Sequence, residues 1–421
     1  YNLQFRSKEL EEWFIRPPKY TSLRINKLRD KFNIDILKLY LKTQELNVPD
    51  IPNVYFKGSD CLVIDQWHIP GEIQKTGNEV IVDALCAAAV LRGAHVFAPG
   101  VMGLPTNINI NDRVDVYGDL KGLCKKGLKV PFEGPKLFVG SGYLRQSRKY
   151  IFDDTANPSG IAVHIILPSS KLPVLNESIY PKGDVLLQNL PSIVCGWVVN
   201  AKAGENILDM CAAPGNKTTH LAEMSSDKAN IIAIDKTESK VARIKHNCTI
   251  NGISCVQSYT FDSTKSFSEE SKGISNGPPF PENSFDKILL DGPCSGLGQR
   301  PMLKCKMTPK ILESYKFVQR KLLDNAVKLL KVGGKLVYST CTITEAENEC
   351  MVAWVLEKHH NLKLTPAEPL LGGPGWPDCG LTDEQRLMLQ RFGPQRDTLR
   401  EVEEVYSDTI GFFIASFIKT Q

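Results

Sequence analysis

The sequence predicts an α/β protein whose largest part is a doubly wound, mostly parallel sheet, preceded by a small α+β region that carries a β-barrel. From about residue 176, short apolar runs alternate with helical segments, and the runs are continuous rather than alternating, as strands buried on both faces require. Each run ends in polar residues, which gathers the polar groups along one edge of the sheet. Ahead of it, residues 74–168 hold short runs (HVFAPGV, RVDVYGD, KLFVGSG) separated by glycine turns, the texture of a small barrel.

Taken in order, residues 1–73 combine a helical stretch with strand-like YTSLRIN (20–26) and CLVID (61–65), an α+β segment expected to pack on the large sheet. Within 74–168, GNEVIVDALCAAAVLRGA reads as an apolar helix ending at Gly93. Residues 169–421 supply the sheet: ENILDM (205–210), NIIAID (230–235) with the helix TESKVARIKHNCTING, then CVQSYTFD, FDKILLD (285–291) and GKLVYST (334–340). IGFFIASFIK (410–419) leaves no room for a further helix and is expected to pair antiparallel at the far end. SFSEESKGISNGPPFPENS (266–284) and GGPGWPDCG (372–380) read as surface loops.

The 421 residues suit two or three domains, at ~100–200 residues each. Hydrophobic residues make up 42% and charged residues 23%, so a sizeable core can form, and the net charge of +4 favours an anionic partner only where it is clustered. No run approaches the ~18 apolar residues of a membrane span, and the opening YNLQFRSKELEEWF has no apolar signal core. A soluble, cytoplasmic protein is expected, with no obligate protein partner evident. The twelve cysteines are scattered and form no CxxC pair, which argues against a structural zinc site or a secreted disulfide framework and for reduced thiols.

Two constellations carry chemistry. The first is LDMCAAPGNKTTH (208–220), where Ala212, Ala213 and Gly215 allow close backbone approach and the next helix presents its amides. A phosphate loop is excluded because the required Gly-Lys pair is Asn216-Lys217 and position 211 is Cys. Asp235 ends the second strand, Asp262 follows the third and Asp291 ends the fourth. Carboxylates at these tips suit an adenosine with a cationic amino-acid tail; for Asp235 a helix cap is the structural alternative.

The second constellation is Asp291-Gly292-Pro293-Cys294 and Ser339-Thr340-Cys341, two thiols at neighbouring carboxyl strand ends. Cytosine C5 is a poor nucleophile until a thiolate adds to C6, after which C5 can take a methyl group. A second group near C5 then serves to release the product, and an acid such as Asp291 can hydrogen-bond the base edge.

CAAPGNK, FDKILLDGPCSGLG and LVYSTCTITEAENE together resemble successive motifs of the Sun-domain RNA (cytosine-5)-methyltransferases, over roughly residues 176–420. The resemblance implies a class I methyltransferase fold, Rossmann-like with seven strands, and S-adenosyl-L-methionine as cofactor. It implies Cys341 as nucleophile and Cys294 as the residue that assists release. Cofactor contacts map onto Cys211, Ala212, Ala213, Pro214, Gly215, Asn216 and Lys217, with Asp235, Lys240, Asp262 and Asp291. The loop reads APGNK where the family has a second glycine, and DGPC where it has DAPC. Asn tolerates positive φ and glycine only adds freedom, so neither change removes a chemical group.

AAVLRGAHVFAPGV (88–101) and LFVGSGYL (137–144) are similar to the PUA domain, an RNA-binding barrel, and Lys121, Lys125, Lys126, Lys129, Arg145, Arg148 and Lys149 follow as candidate phosphate contacts. A PUA domain ahead of a Sun-type domain resembles the tRNA-methylating branch of the family, which implies tRNA as partner, held at its acceptor stem and CCA end. Ribosomal RNA as substrate, or a non-catalytic RNA-binding assembly factor, are the alternatives.

Overall fold

The computed structural model describes residues 7–420 apart from 30, 45, 47–49, 154–156, 176–178 and 397–398. Three sheets organise it. The largest runs in the order Val256–Thr260, Asn230–Asp235, Asn206–Asp209, Phe285–Asp291, Leu330–Thr340, Phe412–Lys419 and Leu362–Thr365. Its first five strands are parallel, and Phe412–Lys419 is antiparallel to Leu330–Thr340, as expected from the sequence. The sheet has eight strands where seven were expected: the short Gln390–Phe392 pairs beside the path, on Phe412–Lys419.

Alternate residues of each strand face opposite sides. Leu208, Ile232, Ile288, Leu336 and Phe413 pack with Leu322 and Ala326 of the helix Pro309–Leu329. Ile207, Ile231, Leu289, Val337 and Ile414 pack on the other side with Ile193 and Val194 of the helix Leu190–Val199. Burial of each such side chain contributes about 1.5–3 kcal/mol, and the double cover explains why the strands read as continuous apolar runs.

The N-terminal sheet runs Val185–Leu187, Tyr20–Ile25, Cys61–Asp65, Val54–Lys57. One of its edges therefore comes from beyond residue 169, a segment whose three residues carry no strand signature of their own. The third sheet has six strands, in the order Val96–Phe97, Ile161–Pro168, Lys136–Leu144, Arg113–Asp119, Glu79–Val82, Val101–Gly103. Its two end strands are consecutive in the chain, joined by the turn Ala98–Gly100.

Here the helix read from GNEVIVDALCAAAVLRGA is corrected. Glu79–Val82 is a strand and only Ala84–Leu91 is helical. The β-branched Val-Ile-Val run favours extension, and Asp83 caps the helix by accepting from the Cys86 amide at 2.8 Å. The loop 266–284 is tethered rather than free: Phe280 is fully buried against Phe285, and Phe267 bridges to Phe280.

Candidate active site

Parallel pairing brings the polar strand ends together. Asp291 lies level with Ser339 across the strand pair, and Ser339 Oγ donates to Asp291 Oδ1 at 2.7 Å. Lys217 Nζ donates to Asp291 Oδ2 at 2.7 Å. Burial acts against the lysine's charge, but Asp291 outweighs it and raises Lys217 above its ordinary range. Lys217 thus leaves the loop on which the sequence placed it and ends on the Asp291 side chain, over the Phe412 ring at 5.2 Å.

The two expected thiols meet: Cys294 Sγ lies 3.4 Å from Cys341 Sγ. Their hydrogen bond lowers the Cys341 thiol against the opposing effects of burial and of the Asp291 charge, with further help from the Gln299 side chain and the Lys217 charge. The same contact, with burial, holds Cys294 well above the thiol range. Of two such thiols, the one with the lowered pKa has the larger thiolate fraction, the nucleophilic form. The Gly298 amide fixes the Cys341 carbonyl at 3.0 Å, and a Cβ on Gly298 would meet the Gly411 carbonyl at 2.0 Å, so that turn requires glycine.

The loop 211–217 forms the other half. Asp235, 6% exposed, accepts from the Ala213 amide at 3.0 Å and from Lys240 Nζ at 3.0 Å. Asp262 accepts from the Thr264 amide at 3.1 Å and is held below the ordinary carboxylate range by the Thr264 hydroxyl first. Gly215 takes the positive φ of the turn, +105°, and Asn216 is the first residue of the helix Asn216–Met224. The tolerance of asparagine for positive φ is therefore not what the APGNK loop uses.

Several further side chains near the site were not singled out by the sequence. Asp209 is buried, accepts from Thr218 Oγ1 at 2.7 Å, has no partner for its other oxygen among the described residues, and is pushed up to about 7 by burial. Arg24, with 0% exposure, crosses from the N-terminal sheet to the helix Asn216–Met224, where it pairs with Glu223 at 2.9 Å, donates to Thr219 Oγ1 at 2.7 Å and meets the Asn216 carbonyl. An arginine inside the apolar strand YTSLRI was the available signal. His220 is likewise held by Asp60 at 2.7 Å.

The donor set fits S-adenosyl-L-methionine. Asp235 and Asp291 accept from Ala213 and Lys217 of the small-residue loop, Asp262 follows the strand Val256–Thr260, one Asp209 oxygen is without a partner among the described residues, and no glycine-lysine pair offers a phosphate cradle. Among the described residues no group of three or more His, Cys, Asp or Glu is arranged for a metal ion, and no helix is long and apolar enough to cross a membrane. All twelve cysteines are free thiols.

Fold and site define a class I, Rossmann-like methyltransferase. The profile of the family described as "16S rRNA methyltransferase RsmB/F" matches residues 197–388. The tRNA (cytosine(72)-C(5))-methyltransferase NSUN6 of Mus musculus is 43% identical over 96% of this chain and 88% of its own length. The tRNA (cytosine(72)-C(5))-methyltransferase of Pyrococcus horikoshii is 35% identical over 96% and 90%. The crystal structure of NSun6 from Pyrococcus horikoshii with SFG superposes with a TM-score of 0.75 at 30% identity, covering 99% of this chain and 94% of that one. The chain belongs to the Sun-domain RNA (cytosine-5)-methyltransferase family, whose cofactor is S-adenosyl-L-methionine.

Proposed function

We propose that this chain methylates C5 of a cytosine near the 3′ end of the tRNA acceptor stem, the class of site for which its NSUN6 relatives are named. The observation that carries the reading is the pair of thiols 3.4 Å apart, whose contact lowers Cys341 and raises Cys294. Cys341 adds to C6 of the base and pushes electron density to C5. Asp291, clamped by Lys217 and Ser339, faces the base edge and stabilises the charge that develops there. S-adenosyl-L-methionine, when bound, supplies an electrophilic methyl on sulfonium sulfur. Loss of the C5 proton then restores the C5–C6 double bond and expels Cys341 as thiolate, a step Cys294 assists. Asp235, Asp262 and the 211–217 loop hold the cofactor, with Lys240 setting Asp235 in place.

Residues 74–168 serve as the PUA-like unit that positions the RNA, between the segment 1–73 and the catalytic region 169–421. Consecutive end strands in the six-stranded sheet support a barrel. A cleft of about 650 Å³ lies between this unit's helix Ala84–Leu91, the N-terminal sheet and the loop carrying Gln299 and Lys304, and its Gln299 also hydrogen-bonds Cys341.

The test separates the thiols. Cys341→Ala should abolish methyl transfer, by about 10⁴-fold or more, and form no covalent RNA adduct. Cys294→Ala should accumulate enzyme joined to methylated RNA, seen as a shifted band on a denaturing gel. The reverse pattern would exchange the two roles. Bisulfite sequencing of total RNA after incubation identifies the base; methylation confined to ribosomal RNA would refute tRNA as the substrate.

A further inference from the structure

Glu347 is a carboxylate with 1% exposure, and among the described residues no cation pairs with it. A buried carboxylate without a cation requires hydrogen-bond donors on its lone pairs. It has three, each from a different element. Oε2 accepts from the Ser295 amide at 2.9 Å and from Gln319 Nε2 at 3.1 Å; Oε1 accepts from Thr344 Oγ1 at 2.7 Å. Ser295 is the residue after Cys294, and Thr344 lies three residues after Cys341. Gln319 also donates to the Pro293 carbonyl at 3.0 Å, and the two turns are joined again where Ser295 Oγ meets Thr342 Oγ1 at 2.8 Å. The Glu347 backbone carbonyl is itself fixed by the Tyr338 hydroxyl at 2.7 Å.

We propose that Glu347 is the positioning residue that divides labour between the two thiols: it locks their turns against each other and sets a negative charge beside Cys294, so that Cys341 is the thiolate of the pair. This rests on the methyl-transfer reading above, yet its central consequence concerns the free enzyme. After the Cys341 hydrogen bond and burial, the Glu347 charge is among the influences that keep the proton on Cys294. A hydrogen-bearing Cys294 can donate to the Cys341 thiolate, which is the contact that lowers Cys341. The carboxylate thus acts on the nucleophile through its neighbour. An amide in its place cannot do this, since it carries no charge and turns an NH₂ toward donors on one side.

The test uses the full chain without RNA or methyl donor. Limiting iodoacetamide is added between pH 6 and 9, and the Cys341 and Cys294 peptides are quantified by mass spectrometry. Wild type should react at Cys341 with at least about a tenfold preference at pH 7, following the thiolate fraction. Glu347→Gln should bring that preference to within about threefold and shift the pH profile. Thr344→Val, which removes one donor and keeps the charge, should retain the wild-type preference. In turnover, Glu347→Gln should lower kcat at unchanged KM for tRNA. An unchanged preference in Glu347→Gln, or an equal change in Thr344→Val, would overturn the proposal. If Glu347→Gln does not fold, Glu347→Asp decides: it keeps the charge but draws it back from Ser295, so the preference for Cys341 should fall, and an unchanged preference would overturn the proposal as well. The alkylation pattern stands or falls whether or not tRNA proves to be the substrate.

Discussion

The carboxyl edge of the large sheet and the six-stranded sheet use the same cationic side chains in opposite ways. At the edge, Lys217 is half-buried on Asp291, and Arg24 is buried and bound to Glu223. On the six-stranded sheet, Lys121, Lys125, Lys126, Lys129 and Lys149 stand exposed. A buried cation is committed to its partner, because separating the two leaves an uncompensated charge. An exposed one contributes little to stability and stays available for phosphate. Arg148 shows that sequence proximity does not decide which applies. It lies among these basic residues, yet its guanidinium binds the carbonyls of Leu104, Gly127 and Leu128 and holds the 125–129 loop in shape. It is a structural residue rather than the phosphate contact expected of it.

The difference can be broken most severely at Arg24. Arg24→Met should destabilise the protein by about 3–5 kcal/mol, the cost of stranding one member of a buried pair. Denaturant unfolding would measure it, and Arg24→Met with Glu223→Gln should recover part of the loss. A change below about 1 kcal/mol would mean that solvent reaches the pair. Asp235→Ala probes the edge more gently: S-adenosyl-L-methionine binding should weaken by about 1.5–3 kcal/mol by calorimetry, with RNA affinity unchanged. Unaltered cofactor affinity would leave Asp235 as a brace for Ala213 and Lys240 alone. At the other extreme, charge reversal at Lys125, Lys126 and Lys129 should move stability by no more than about 0.5 kcal/mol. It should reduce the salt dependence of tRNA binding by up to about 2–3 logarithmic units of slope. An unaltered slope in filter binding would return these lysines to a solvated loop.

The large sheet was legible because its strands are buried on both faces, which writes burial into the sequence as unbroken apolar runs. NIIAID and FDKILLD match their strands residue for residue. Leu362–Thr365 and Gln390–Phe392 escaped because strands of four and three residues carry no period of their own; pairing with Phe412–Lys419 creates them. In the site, Cys294, Cys341 and Asp291 stood out in the sequence as polar groups at strand ends, and the structure brings the two thiols together. Asp209, Ser339 and Glu347 were not, since their roles follow from which oxygen faces which donor after folding. Arg24 lies 199 residues from Glu223, and no local pattern encodes that distance.

That separation also sets an order of assembly on the ribosome. The strand Tyr20–Ile25 is made early, but its neighbour Val185–Leu187 and the acceptors of Arg24 on Asn216–Met224 emerge far later. The six-stranded sheet between them draws all its strands from residues 79–168, so its contacts are available as soon as that stretch has left the exit tunnel. The nascent chain therefore carries a finished six-stranded sheet while the cationic strand ahead of it still waits for the helix it will brace.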